Sequence, residues 1–273
     1  MPAYFDGLIA GFRAGRAGRH VHLGYWDQPP SLATPCKYEE FTAAQARLCQ
    51  IVLGLSGLGD GQSMLDVGCG FGGTIDAINE RCRNVRLAGA NIDRRQLEIC
   101  RSISPRNANS LSFVLADACA LPFSSGVFDR VICLEAMFHF ASREEFFRQA
   151  ARVLKPGGQL VLTDILLRDP GQRAPVDAAR LSETMRREYG PWPELWIDAD
   201  GIVNIGHAAG LQLLEVVDAT AQTLPSYRVT APHDLREFGP KPPAGALMRW
   251  LHSEGYLSYM CFSFSKPERG MAP

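Results

Sequence analysis

An alternation of apolar strand patterns with helix patterns constrains the fold of this chain more than any other feature. It begins at Ser63 and runs to Leu167. The strand patterns are MLDV, VRLAGANI, LSFVLADA, FDRVICLEA and QLVLTDILL, and the helix patterns include TIDAINERC, RRQLEICRSI and SREEFFRQAARVL. Because strands alternate with helices, we expect a mainly parallel sheet that helices cover on both faces. LQLLEVVDA and YLSYMCFSFS, nearer the end, predict two more strands.

The segments outside this alternation divide the chain into parts. Residues 1–35 are rich in Gly, Arg and Pro and predict a loose arm, and a second helix pattern lies over 176–189. We expect four parts: an N-terminal arm and helical cap (1–60), the core (61–167), a lid insertion (168–199) and the C-terminal part of the core (200–273).

Charge and cysteine usage narrow the class of protein. The net charge of −1 gives no whole-molecule attraction to nucleic acid or to an anionic membrane, and no apolar run approaches a membrane span. The eight cysteines form no C-x-x-C pair and no Cys/His zinc spacing. We therefore expect a cytoplasmic protein with reduced thiols, no metal, no nucleic-acid partner and no membrane partner. A homo-oligomer stays possible, because the arm could reach a neighbour.

The loop LDVGCGFGG, at residues 65–73, predicts a ligand site. Gly68, Gly70 and Gly73 match the spacing G-x-G-x-x-G, which allows positive φ angles and a close approach of the backbone to a ligand. Open α/β sheets bind ligands at the carboxyl ends of their strands. The alternative is a tight turn without a ligand. Asp66 distinguishes the candidates, because a carboxylate repels the pyrophosphate of NAD but attracts the ammonium and sulfonium of S-adenosylmethionine (SAM).

Successive motifs in this sequence resemble those of class I SAM-dependent methyltransferases. The motifs are most similar to those of small-molecule enzymes that methylate sugars, polyketides, prenyl compounds and other secondary metabolites. The motifs are LDVGCGFGG, GANID followed by Gln96, LADACALPF, FDRVICLEAMFHF and LKPGGQLVLTDILL, with HLGYWD upstream, and they span roughly residues 20–167. The resemblance implies SAM as cofactor, a small-molecule acceptor and a Rossmann-like α/β fold. Its seven-stranded sheet would be mostly parallel with an antiparallel C-terminal strand.

The resemblance also implies cofactor contacts. Asp66 and the glycine loop would lie at the methionine end. Asn91 and Gln96 would share the ribose hydroxyls, although many family members carry an acid in place of Asn91. Asp117 would accept from the adenine amino group; the alternative is that it caps a helix. The predicted cofactor-binding residues are Asp66, Gly68, Gly70, Asn91, Ile92, Gln96, Asp117, Ala118 and Leu134.

A general base is expected if the acceptor atom is a hydroxyl oxygen. His139 follows the fourth strand, and Asp164 ends the fifth, so both should emerge at the same edge of the sheet. Related sugar O-methyltransferases place a His and an Asp at these two points, which implies that Asp164 orients the imidazole. The alternative is that His139 caps a helix and Asp164 shapes the strand end. Glu135 is another polar candidate.

Aromatic and histidine side chains in the N-terminal arm and in the lid insertion are expected to line the binding site of the acceptor. The expected substrate-binding residues are His22, Tyr25, Trp26 and Trp192. The alternative is that the aromatic ones pack the arm and lid onto the core.

The sequence therefore predicts an enzyme that transfers a methyl group from SAM to a hydroxyl of a small natural product. Three alternatives remain at this point. The first is N- or C-methylation by the same fold, the second is a SAM-fold protein with a non-methylating activity, and the third is NAD-linked reduction.

Overall fold

The computed structural model describes residue 2 and residues 4–174, 176–233 and 242–268. Residues 1, 3, 175, 234–241 and 269–273 lie outside the described residues, although the four predicted parts include them. A sheet of seven strands forms the centre of the fold. The strands are β1 Ser63–Val67, β2 Arg86–Asn91, β3 Ser110–Leu115, β4 Phe128–Cys133, β5 Leu154–Leu167, β6 Gln212–Asp218 and β7 Leu257–Ser265.

The strand order is β3-β2-β1-β4-β5-β7-β6. β7 runs antiparallel to both of its neighbours, and the pairs from β3 through to β5 are parallel. This arrangement confirms the mostly parallel sheet with an antiparallel C-terminal strand. The chain winds outwards from β1 to β3 and then crosses back to β4, so a crevice opens between the carboxyl ends of β1 and β4.

Helices cover both faces of the sheet. They are α1 Tyr4–Arg13, α2 Tyr38–Ser56, α3 Gly73–Arg81, α4 Arg94–Cys100, α5 Arg143–Val153, α6 Ala178–Tyr189, α7 Ala199–Ala208, α8 Thr220–Thr223, α9 Tyr227–Thr230 and α10 Ala244–Ser253. Within the described ranges, no helix combines the length and the apolar character needed to cross a membrane.

Two apolar layers, one on each face of the sheet, form the core. In β5, Val161 and Ile165 belong to the layer that contains α2, α3 and α10, whereas Leu160 and Leu162 belong to the layer that contains α5 and α7. Successive strand residues point to opposite faces, so a strand that is buried on both sides reads as one continuous apolar run. This explains why QLVLTDILL lacks alternation.

The N-terminal arm is more ordered than its composition predicts. Helix α1 occupies part of the segment that we expected to be loose, and its Ile9 is buried. The Phe12 ring packs 5.2 Å from that of Phe71, and Asp6 pairs with Arg95 at 2.6 Å. Glycines within the helix, and the glycine- and arginine-rich run that follows it, obscured an apolar stripe at Phe5, Leu8, Ile9 and Phe12.

The inserted segment packs onto the main body of the molecule. Its helix α6 begins two positions later than the predicted 176–189 helix. Leu181, Met185 and Trp192 are fully buried in the same apolar layer as α2. Trp196 forms an isolated parallel bridge with Leu167 at the end of β5. The segment therefore lies against the edge of the sheet where the functional residues are expected.

Candidate active site

The glycine loop joins β1 to α3 by a left-handed backbone path. The φ angles of Gly68, Gly70 and Gly72 are 75°, 52° and 81°. A Cβ atom on Gly68 would overlap the Cβ of Ala136, and one on Gly70 would lie 2.8 Å from the Val21 side chain. Only glycine combines this backbone conformation with so close an approach. The loop thus exposes its backbone to the crevice.

A cavity of about 420 Å³, the first cavity, lies directly against this loop. Its volume falls in the range of small-molecule sites. Most of the predicted cofactor residues line it: Gly68, Gly70, Asn91, Ile92, Gln96, Ala118, Asp117 and Leu134.

Asn91 and Gln96 form one hydrogen-bonded unit in the first cavity. The Asn91 amide nitrogen donates to the Gln96 side-chain oxygen at 3.0 Å, and the Asn91 oxygen accepts from the Asp93 backbone N–H at 2.9 Å. The Gln96 amide group therefore keeps its donors for a ligand. The structure brings together the two residues that were predicted to share the ribose.

Asp66 is buried beside the loop without a full set of partners. It is 2% exposed and lines a small cleft together with His20, His22 and Thr74. Its Oδ2 atom has no hydrogen-bond partner among the described residues. Burial raises the pKa of the carboxyl to about 7. An unpaired buried acceptor of this kind suits a ligand that brings a positive donor group, such as an ammonium.

Asp117 closes a turn in the connection between β3 and β4, which contains no helix, so the helix-cap alternative is wrong. Its Oδ1 accepts from the Cys119 backbone N–H at 2.8 Å. The residue is exposed at the margin of the first cavity, next to Ala118. The turn and a contact with a ligand are compatible, because a carboxylate has a second oxygen.

His139 has both ring nitrogens engaged, in a way that fixes its tautomer. Nδ1 lies against the backbone carbonyl of Tyr189, which can only accept, so Nδ1 carries the proton. Nε2 therefore accepts from the Tyr4 hydroxyl at 2.8 Å. Burial lowers the pKa of His139 to about 4, so the imidazole is neutral at pH 7.

The structure does not pair Asp164 with His139. The prediction that Asp164 ends the fifth strand is wrong, because β5 continues through antiparallel pairing with β7 to Leu167. The Asp164 carboxylate is fully buried and accepts from Arg143 Nε at 2.9 Å. Its other oxygen accepts from the Ile165 backbone N–H at 2.9 Å. A buried carboxylate binds the nearest cation, and here that cation is Arg143. Asp164 cannot orient the imidazole by direct contact in this arrangement.

A second cavity of about 470 Å³ adjoins the first. Aromatic rings from several segments line it, among them Tyr38, Phe138, Tyr189, Trp192 and Tyr227. Five residues line both cavities: Tyr4, Leu8, Val21, His22 and Glu135. The two cavities therefore meet at this group of residues, which we call the junction.

Glu135 is the acidic member of the junction. Its Oε2 accepts from the Leu23 backbone N–H at 2.9 Å and from the Tyr259 hydroxyl at 2.7 Å. Burial raises its pKa to about 7. Its φ angle of 53° is unusual for a residue other than glycine, which marks a conformation that the surrounding contacts must hold.

The predicted substrate-binding residues separate into two groups. His22 lines both cavities, and Trp192 lines the second. Tyr25 and Trp26 line neither. Trp26 lies over Phe41, with ring centroids 6.3 Å apart, and the Arg228 guanidinium lies 5.3 Å from the Trp26 ring. Their positions correspond to the packing alternative, in which they hold the arm against the core.

Strand order, the β1 crevice and the cavity on the glycine loop together define the class I methyltransferase fold. Residues 65–162 match the methyltransferase domain family. Two relatives match most of the chain. Methyltransferase GfsG of Streptomyces halstedii is 34% identical over 76% of this chain and 71% of that protein. The 27-O-demethylrifamycin SV methyltransferase of Amycolatopsis mediterranei is 33% identical over 78% and 74%, respectively.

A solved structure of geranyl diphosphate methyltransferase in complex with SAM has the same fold. Its TM-score is 0.71 at 16% identity, over 92% of this chain and all of that one. The chain belongs to the class I SAM-dependent methyltransferases that act on small molecules. SAM is the cofactor, and the acid beside the glycine loop fits its ammonium. Within the described residues, no group of three or more His, Cys, Asp and Glu side chains is placed to hold a metal.

Proposed function

We propose that this enzyme methylates a hydroxyl of a small natural product, with His139 as the general base and Tyr4 as the group that relays the proton to it. The observation that carries this proposal is the 2.8 Å hydrogen bond from the Tyr4 hydroxyl to His139 Nε2. Tyr4 lines both cavities, whereas His139 lines only the first. An acceptor in the second cavity therefore meets Tyr4 before it meets the imidazole.

The proton path follows from the tautomer. SAM supplies an electrophilic methyl group on a positively charged sulfur. As the acceptor oxygen forms its bond to carbon, its proton moves to the Tyr4 oxygen and the Tyr4 proton moves to Nε2. Nδ1 stays hydrogen-bonded to the Tyr189 carbonyl, which stabilises the imidazolium that results. The positive charge passes from sulfur to imidazole, so the buried site keeps the same net charge.

Two features of the junction support a displacement that is shielded from water. The aromatic lining of the second cavity would surround a bound acceptor, which would then displace water from the reacting atoms. The contacts of α1 hold Tyr4 over both cavities, which aligns the reacting groups, and alignment of this kind contributes on the order of 7–11 kcal/mol to a displacement. The oxygen specificity of the rifamycin-type relative is consistent with a hydroxyl acceptor.

The test is transfer of a 13C-labelled methyl group from SAM to a panel of hydroxylated polyketides, glycosides and phenols. We expect products whose labelled carbon is bonded to oxygen, as identified by NMR. His139→Ala should lower kcat by about 10²–10⁴-fold. Tyr4→Phe should lower it by a smaller factor, because Nε2 can then accept directly from the acceptor. Both variants should bind S-adenosylhomocysteine (SAH) as the wild type does.

His207→Ala is the matched control, because His207 is exposed in the last turn of α7. It should retain wild-type turnover. Wild-type turnover in His139→Ala would refute the assignment of the base. A labelled methyl group on nitrogen or carbon would refute O-methylation and favour the N- or C-methyltransferase alternative.

A further inference from the structure

A fully buried ion pair lies behind the acceptor side of the site. Arg143 is the first residue of α5 and Asp164 lies on β5, and both side chains are 0% exposed. Neither residue lines a cavity. Apolar residues of similar volume often replace such pairs at no cost in stability, so stability alone does not account for this one.

Arg143 extends the pair to a third element. Its Nε donates to Asp164, whereas its Nη1 donates to the backbone carbonyls of Pro193 and Glu194, the latter at 3.3 Å. The Glu194 carboxylate lies 4.0 Å from the same nitrogen. The guanidinium thus ties the turn at residues 190–194 to the sheet, through a fork of donors that a lysine lacks.

This turn has a backbone that needs external support. The φ angles of Gly190, Trp192 and Glu194 are 101°, 39° and 45°. A residue other than glycine in this region costs about 1–3 kcal/mol and persists only where its surroundings hold it there. The contacts of Arg143 with the two carbonyls supply that support directly at the strained positions.

The turn and the residue before it contact the groups that face the acceptor. The Tyr189 carbonyl accepts from His139 Nδ1. The Trp192 ring stacks on Phe138, with centroids 4.8 Å apart, and forms part of the wall of the second cavity. Displacement of this turn would therefore move one wall of the cavity and release the imidazole.

We propose that Asp164 is a positioning residue that acts through Arg143: the pair holds residues 190–194 so that Trp192 walls the acceptor cavity and His139 keeps its Nδ1–H tautomer. The His139 part rests on the proposed function, whereas the Trp192 part does not. Asp164 thus acts on the acceptor side without touching the acceptor or His139.

Three variants separate positioning from folding. Arg143→Lys keeps a cation for Asp164 but cannot reach the carboxylate and both carbonyls at once. Arg143→Met combined with Asp164→Leu removes both charges and should restore stability without the link to the turn. Asp129→Asn is the control, because it breaks a carboxylate–lysine pair (2.8 Å to Lys155) that contacts neither cavity.

Fluorine NMR of protein labelled with 5-fluorotryptophan reports on Trp192, which is fully buried; Trp192→Phe identifies its signal among the four tryptophans. In Arg143→Lys and in the double variant we expect the Trp192 signal to gain a solvent isotope shift, whereas the Trp250 signal should not change. Nitrogen-15 NMR should show loss of the fixed Nδ1–H tautomer of His139.

A folded double variant that keeps a solvent-shielded Trp192 signal and the wild-type tautomer would overturn the proposal. Equal changes at Trp192 and Trp250 would overturn it too, because they would indicate general destabilisation. These readouts do not depend on which acceptor atom is methylated. Failure of the His139→Ala test therefore leaves the Trp192 result intact, and the two proposals can fail separately.

Discussion

Asp66 is a buried carboxylate whose charge favours a cationic ligand over a phosphate. It lies at the end of β1 with one oxygen unpaired, and burial raises its pKa to about 7. Without a ligand the group is half protonated near neutral pH. A positively charged ligand favours the ionised form, so binding of that ligand and loss of the proton are coupled. A phosphate ligand would have the opposite effect.

The coupling predicts how SAH affinity depends on pH. Affinity should be constant above pH 7 and should fall below it, by up to about tenfold per pH unit, because the carboxyl must then lose a proton to bind the ammonium. Asp66→Asn should weaken binding and flatten this dependence, as measured by calorimetry between pH 5.5 and 8.5, a window of about 1.5 units on each side of the pKa. Glu135→Gln is the matched control, because the pKa of Glu135 is also about 7, and it should keep the slope. An unchanged slope in Asp66→Asn would contradict this assignment.

Residues differ in how far the sequence predicts their roles. The position of Asp66 follows from a local pattern, because the residue ends a strand just before glycines. Asp164 lies within β5 and not at its end, and its partner is set by contact across the fold. Arg143 lies 21 residues away, and nothing in its local sequence distinguishes it from the other arginines. We predicted that Asp164 orients His139 because the sequence does not reveal that Arg143 is the cation buried beside Asp164.

At the scale of elements, the β1–α3 loop brings its backbone unusually close to the segment after β4. Gly68 and Ala136 belong to these two pieces, and no side chain fits between them. Positive φ at Gly68 adds a second requirement for glycine. The positive φ angle and the close approach of Ala136 can be tested separately, because some glycines of this chain have a positive φ angle and no atom close to a built Cβ.

Gly68→Ala should weaken SAH binding at least tenfold, because the added methyl group would push the loop away from Ala136 and into the first cavity. Gly126→Ala is the control: Gly126 has a φ of 68° and no atom within 4 Å of a built Cβ. Both variants should lose about 1 kcal/mol of unfolding free energy through the backbone angle. Equal SAH affinities of the two variants, measured by calorimetry, would show that close approach has no role in binding.

The elements of the core follow from sequence patterns, whereas those of the arm do not. Strands and helices from β1 to β5 repeat a regular alternation, and each pattern predicts its element independently. Helix α1 contains two glycines, and a run rich in glycine and arginine follows it, so its apolar stripe was not recognised. Tyr4 was missed as a site residue for the same reason.

At the scale of the whole molecule, the segment before α2 covers both cavities. We call residues 4–35 of this segment the roof. Its residues supply part of each lining and most of the junction. Arg19 anchors the roof: it donates to the Phe71 carbonyl at 3.0 Å and to the Ser102 hydroxyl at 2.8 Å. Val21 and His20 lie directly over the glycine loop. The glycine loop is therefore covered by residues outside the core.

Arg19→Ala should raise the dissociation rate of SAH at least tenfold, because it removes the contacts that fasten the roof to the glycine loop and α4. Stopped-flow displacement of a fluorescent SAH analogue would measure the rate. Arg16→Ala should leave it unchanged, because Arg16 is exposed. Equal rates in Arg19→Ala and the wild type would show that the roof does not retain the ligand.

Because the roof comes from one uninterrupted stretch of chain, recombination at a single junction near residue 35 exchanges most of it at once. The carboxyl edge of the sheet, with Asn91 and Gln96 in the first cavity, would pass unaltered into every such chimera. Such an exchange would change the acceptor cavity and the closure of the cofactor cavity together, because the same stretch of chain lines both.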